Sequence, residues 1–339
     1  MDWHNFIVVG ENIHCTRIVK RNGKKATTLS DGTEAVPFNL GGEERYLRVP
    51  KEWEAFSPAF SQGKIKHAAL GLHQSMHGDT EAARDGRDYL RSLAERQTKA
   101  GAAFLDVNVD EYSNKPEEVA EAMTFLVQFL GETTDTPLSI DSSNPDTLRK
   151  GLEQCRSDIR PPMINSVSLE RTEAAALVKE YNADVIVSAA GREGMPANVD
   201  ERMANFREII AVLEKEGVPR ERLHLDPLVL PVSTDPMNGA TFLDATQQAG
   251  SEFEGVHLNG GLSNISFGMP KRQLLNMVFA YLCAEAGTDG GIIDPVSTPL
   301  DKIATLNPAD RSFQLAKAVL TGEDMFGMEY ISAYREGTL

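Results

Sequence analysis

The chain has 339 residues, 41% of them hydrophobic, so it can bury a large core; the length suggests about two domains, although a single α/β barrel commonly runs past about 250 residues. A formal charge of −16 repels the phosphates of nucleic acids and anionic membrane surfaces, so neither is an expected partner. No apolar run approaches the ~18–20 residues that span a bilayer. The opening MDWHNFIVVGENIH lacks a basic leader segment, so no signal peptide is expected. Cys15, Cys155 and Cys283 are far apart with no CxxC pair, which fits a reducing cytoplasm and a cytoplasmic location.

In chain order, FIVVGENI predicts a buried strand from Phe6 to about Ile13. Helix-like periodicity over about Thr80 to Ala100 follows Asp79, a suitable N-cap, and stops at Gly101. AFLDVNV (103–109) then predicts the second strand. The alternation continues with a helix at 116–130, PLSID (137–141), a helix at 145–155, MINSVS (163–168) and a helix at 169–181. DVIVSA (184–189), a helix at 198–216, LHLDP (223–227) and a weaker helix near 239–250 come next. GVHLN (255–259), a helix at 270–286 and GGIIDP (290–295) precede the C-terminal helices. Eight strands separated by helices imply a parallel sheet, and eight βα units suggest closure into a (β/α)8 TIM barrel. The open doubly wound alternative loses support because VVGENIHC is not the G-x-G-x-x-G fingerprint. A long insertion of about 15–78 interrupts the first βα connection of this single domain, which spans 1–339. At that length it is expected to be a lid or a partner-docking element rather than a plain loop.

Barrel enzymes bind ligands at the C-terminal ends of their strands. Here those ends carry Asn12 and His14, Asp106 and Asn108, Asp141 with Ser142 and Ser143, Asn165 and Ser166, Asp226, Asn259 and Asn264, and Asp294. The ring is built of Asp and Asn, with no Lys or Arg and no Ser–His pair. Inward carboxylates and carboxamides suit a neutral ligand rich in N–H donors, such as a pterin or a purine. Taken alone, Asp141 could equally be the cap of the helix that follows it. A further run, HLNGGLSNISFGMP (257–270), contains seven Gly, Ser or Asn residues in fourteen, more than a turn requires. Such a loop lets a flat polar ligand approach the backbone.

The ordered motifs LDVNVD, PLSIDSSNPDTLRKGLE, PMINSVS, LHLDPLVLPVST and GLSNISFGMPKRQLLN are similar to those of the pterin-binding methyltransferases, over about residues 85–300. That family comprises the methyltetrahydrofolate:corrinoid methyltransferases, the folate module of cobalamin-dependent methionine synthase and, more distantly, dihydropteroate synthase. The resemblance implies a TIM barrel in which Asp141, Asn165 and Asp226 hold the pterin's amino-pyrimidinone edge. It also implies that Asp106, Asn108 and Ser266 belong to the pterin-binding set, and that Asn264 is the catalytic residue at N5. Tetrahydrofolate or methyltetrahydrofolate would be the substrate. The chain has no D-x-H-x-x-G motif, so the corrinoid (cobalamin) would be supplied by a separate corrinoid-binding protein. A homodimer is expected, as is common among the relatives.

The chain departs from the family pattern on its first two strands. GERxN becomes GENIH, which puts Asn12 and His14 in place of Arg and Asn, and DxNxG becomes DVNVDE, which puts Asp110 in place of Gly. His73 and His77 stand four apart in GLHQSMHGD, but no third ligand is fixed by spacing, so no metal, zinc included, is expected there. EGMPANVDE (193–201) reads first as a helix-start loop. Alongside folate–corrinoid methyl transfer stand three alternatives: a demethylating methyltransferase acting on a small methylated compound, a non-catalytic folate-binding subunit, and dihydropteroate synthase, whose basic pyrophosphate pocket is not evident.

Overall fold

The computed structural model describes residues 3–339. Eight parallel strands form a nearly closed barrel with helices between them. They are β1 (Ile7–His14), β2 (Phe104–Asn108), β3 (Leu138–Asp141), β4 (Met163–Val167), β5 (Asp184–Ser188), β6 (Leu223–Asp226), β7 (His257–Leu258) and β8 (Gly290–Ile293). The hydrogen-bonded order is β7-β6-β5-β4-β3-β2-β1-β8. Backbone bonds from Asp289 N to Leu258 O and from Ile292 N to Gly260 O, at 3.1 and 2.9 Å, tie the two ends together. The fold class expected from the alternation is therefore the one observed.

The chain packs as two compact units. One contains the chain up to Gly10, Ala100–Phe104 and Pro161–Leu339; the other contains Glu11–Lys99 and Leu105–Arg160. Inside the first unit, Val9, Phe104, Met163, Ile186 and Ile292 form an apolar layer. β-Branched and aromatic residues from successive strands fill such an interior, which is a packed core and not a pore. A second layer gathers around Phe242, Phe279, Leu275, Phe313 and Tyr330. Helix Val199–Glu216 shows how local sequence sets an element. Asn198 caps its start by accepting from Glu201 N at 2.9 Å, Glu201 reaches back to Ala197 N, and Gly217 ends it with a left-handed φ of 83°. Residues 193–201 are thus a helix-start loop.

The second unit contains the long insertion, which is folded. Residues 15–78 carry strands Ile18–Lys20, Thr27–Thr28, Glu34–Leu40, Glu43–Arg48 and Lys64–Lys66, with helices Trp53–Phe56 and His67–His77. Glu34–Leu40 and Glu43–Arg48 pair antiparallel around Gly41-Gly42, both at positive φ (63° and 90°), the two-residue turn whose twist matches a hairpin. This hairpin packs on helix Thr80–Lys99. Phe38 meets Tyr89 edge-on at 5.2 Å between centroids, and Arg45 holds both Asp85 and Asp88. Asp79 caps that helix as expected, accepting from Glu81 N and Ala82 N at 3.0 Å. His73 and His77 lie on the preceding helix with ring centroids 5.1 Å apart, and His73 packs against Trp53 and Phe56.

Smaller departures concern element lengths. The 255–259 strand is only two residues long, and 169–181 is a 3₁₀ turn (Thr172–Ala174) followed by a short helix, Ala175–Glu180. Pairing to one short neighbour limits the first, and a lone turn of apolar residues cannot propagate far in the second.

Candidate active site

The second unit presents four of the expected residues at the ends of β1, β2 and β3. Parallel pairing sets Asn108 directly beside Asp141 and Asp106 beside Ser139. Alternation along β2 aims Asp106 and Asn108 to one side, with Val107 on the other. Asp106 is fully buried and its Oδ2 lies 2.7 Å from His14 Nε2. Asp141 is half-buried and takes a hydrogen bond from Asn108. Burial pushes its carboxyl up to about 7, and the charge of Asp106 adds to that; His14 and Asn108 pull the other way. For His14, burial opposes the charged form, but the hydrogen bond and charge of Asp106, with the charge of Asp141, outweigh it and raise the imidazole's pKa. One atom from each of His14, Asp106 and Asp141 lies within 4.8 Å of the others, close enough to share a proton or a divalent cation.

Asp141 does not cap the following helix. Asn144 does, accepting from Asp146 N and Thr147 N at 2.8 and 3.3 Å. That frees the Asp141 carboxylate for a ligand. Asp110, which replaces the family's glycine, ties two loops together. Its carboxylate accepts from Ser142 Oγ at 2.5 Å and from both Ser143 N and Ser143 Oγ at 2.8 Å, while Asp110 N donates to Asn108 Oδ1 at 3.0 Å. Asp110 was legible as an anomaly, but its partners 32 and 33 residues away were not.

The first unit carries the remaining residues. Asn165 is half-buried in β4, where the register against β5 slips between Ile186 and Val187, and the Asn165–Ser166 peptide is cis. Asp226 ends β6, 9% exposed. Its Oδ1 accepts from Leu228 N at 2.8 Å, and Gly261 contributes a backbone N–H. Burial raises the Asp226 carboxyl to about 6; those N–H groups and the Arg202 guanidinium restrain the rise. Arg202, which sequence reading did not single out, is itself buried, donating Nε to Pro227 O at 2.7 Å and leaving Nη1 without a partner. As an arginine inside an amphipathic helix, it resembled one more surface charge.

Asn264 is half-buried in a 3₁₀ turn, Leu262–Ser266, directly after β7. A Cβ on Gly261 would stand 2.9 Å from Asn264 Nδ2, and one on Gly260 would stand 2.7 Å from the Phe242 ring. The paired glycines are therefore what lets this turn seat Asn264. Ser266 is fully buried inside the turn, accepting from Arg272 Nε at 3.0 Å, and Arg272 also donates to Ser263 O. Its hydroxyl anchors the loop. Asp294 closes its own turn through Val296 N and Ser297 N.

The family described as "Pterin binding enzyme" matches residues 79–294. The chain is 27% identical over 256 residues to a methylcorrinoid:tetrahydrofolate methyltransferase of Eubacterium limosum, covering 74% of this chain and 89% of that protein. Among solved structures, dihydropteroate synthase from Stenotrophomonas maltophilia superposes with a TM-score of 0.53 at 18% identity, covering 65% of this chain and 86% of that one. The 7,8-dihydropteroate synthase of Vibrio fischeri ES114 gives 0.51 at 18%, covering 69% and 85%. At that identity the structures speak for the barrel alone. No helix among the described residues is long and apolar enough to cross a membrane.

Proposed function

Since this chain belongs to the pterin-binding enzyme family, we propose that it is a methyltransferase moving a methyl group between N5 of tetrahydrofolate and the cobalt of a corrinoid held by a separate protein. The likeness to the methylcorrinoid:tetrahydrofolate methyltransferase over 89% of that protein's length carries the reading. The buried carboxylates support it, because they suit a pterin ring that brings N–H donors and no charge of its own.

Asp141, Asn165 and Asp226 would take the amino-pyrimidinone edge, with Asn108 donating to Asp141 and Asp106 holding His14 beside it. A carboxyl near neutrality is suited to this task. It gives up its proton when two N–H groups arrive, and the bonds it then makes are charge-assisted. Asn264 would hydrogen-bond N5. Nitrogen is a poor leaving group unless it gains positive character, and an amide fixed by its turn stabilises that change without reorganising. Ser266 and Arg272 would hold the turn in place. The corrinoid supplies the methyl-accepting or methyl-donating metal; this chain orients and excludes water.

Titration of the purified protein with methyltetrahydrofolate, followed by protein fluorescence, tests the pterin assignment. Saturable binding weakened by Asp141→Asn and by Asp226→Asn supports it. The alternative, demethylation of a small methylated compound, predicts no folate binding.

A further inference from the structure

The folded insertion builds a cleft that the pterin site does not use. It encloses about 730 Å³, within the range of small-molecule sites. Thr16 and Tyr112, two of its lining residues, lie two and four positions beyond His14 and Asn108, the last residues of β1 and β2. At no more than about 3.6 Å per residue, the cleft begins within roughly 15 Å of the Asp106–Asp141 cluster.

One wall is the two-stranded ribbon Ile18–Lys20 and Lys64–Lys66, with Val19 paired to Ile65 and both buried. Alternation then sends Ile18, Lys20, Lys64 and Lys66 to the opposite, outer face. Ile18 is 44% exposed there. Lys20 and Lys64 are direct cross-strand partners, a like-charge pairing that disfavours the ribbon by itself. In a chain carrying −16, such a pairing is difficult to assign to solubility. Lys66 is matched by Glu111 at 2.7 Å and Lys115 by Glu118 at 2.7 Å; Lys64 forms no ion pair among the described residues. Phe56 and Tyr112 also line the cleft and meet edge-on with centroids 5.4 Å apart. Ser57, the next residue after Phe56 and also in the cleft wall, is 5% exposed, and its Oγ is buried with no hydrogen-bond partner. A buried hydroxyl without a partner is uncommon, and in a cleft wall a small side-chain rotation would offer it to a ligand's polar atom.

An aromatic wall, an exposed aliphatic side chain, an unsatisfied hydroxyl and a lysine without an ion-pair partner describe a ligand with a flat apolar ring and carboxylates beyond it. We propose that this cleft takes the p-aminobenzoyl-glutamate tail of the folate, and that Lys64 and Lys66, with Lys20 at the rim, select the γ-linked polyglutamate form. The inference rests on the pterin reading above. It adds which folates the protein prefers, since each added glutamate brings one more carboxylate to the lysine face.

Three probes titrated against the full-length protein, with fluorescence as the readout, test it: a tetrahydropterin lacking the benzoyl-glutamate tail, tetrahydrofolate with one glutamate, and tetrahydrofolate with three γ-linked glutamates. The triglutamate is expected to bind at least tenfold tighter than the monoglutamate, with the gap narrowing at high salt. In the Lys64→Gln/Lys66→Gln double variant the gap should close, and in Ser57→Ala both tailed forms should weaken several-fold, while the tailless pterin binds as before. Lys64 is exposed and Lys66 is half-buried against Glu111, so an unchanged melting temperature identifies a folded double variant. Equal wild-type affinity for one and three glutamates, or a gap that survives the double substitution, overturns the proposal while leaving the pterin reading intact. Failure of all three probes to bind removes both.

Discussion

His14 Nε2 sits 2.7 Å from Asp106 Oδ2, and the charge on His14 acts on Asp141 as well. Where the family pattern that the sequence resembles has asparagine, the chain has placed an imidazole beside its ligand-facing carboxylate. Replacing His14 with Asn removes an influence that lowers the Asp141 pKa, so that pKa should rise further above about 7. The pH midpoint for folate binding is then expected to move upward by about 0.5–1 unit. Binding titrations across pH 5–9 check this; a midpoint that stays put or falls would detach His14 from the site.

Asp226 titrates near 6 in the folded protein against an ordinary value of 3.8. A raised carboxyl stabilises the fold below about pH 4, and that contribution is lost as pH climbs through 6. Asp226→Asn escapes the loss. Without ligand, the variant should match the wild type near pH 4 and exceed it above pH 7, by at most about 3 kcal/mol. Thermal melts at the two pH values give the answer, and a constant difference between them would contradict it.

Asn264→Ala should slow methyl transfer by roughly 10²-fold or more while shifting folate affinity only slightly, as expected for a donor that acts mainly in the transition state. Gly261→Ala offers an independent route to the same place, because its new methyl would displace the Asn264 amide, 2.9 Å away, without touching the barrel. A loss confined to affinity in either variant would remove Asn264 from N5.

Asp110→Gly deletes the bonds to Ser142 and Ser143. The expected destabilisation is about 1–3 kcal/mol, measured by denaturant unfolding. Folate affinity should fall with it, since Asp141 is the neighbour of Ser142; unchanged stability would mean the tie between the loops carries no weight.

Most of the barrel could be read from period and punctuation. Strand–helix alternation gave all eight strands to within a few residues, because buried parallel strands are short apolar runs and their helices are strongly amphipathic. The insertion was harder, although NLGGEE carried a hairpin signal in its Gly-Gly pair. Its strands alternate weakly and are held by Arg45 reaching Asp85 and Asp88 some forty residues on, a contact no local pattern encodes. The candidate site divides in the same way. Asp106, Asn108, Asp141 and Asp226 stood out as polar residues ending apolar runs, and Asn264 through its small-residue loop and the family motif GLSNIS. Arg202 and the partners of Asp110 did not, because their roles come from burial and long-range contact.

The most direct test is a single-turnover reaction with methyl-labelled methyltetrahydrofolate and free cob(I)alamin, followed by the visible spectrum and by recovery of the label on cobalt. Label on cobalt only when the enzyme is present, and suppressed in Asn264→Ala, is the result expected. Saturable folate binding with no label ever reaching cobalt, and none returning from methylcobalamin to tetrahydrofolate, would contradict the account.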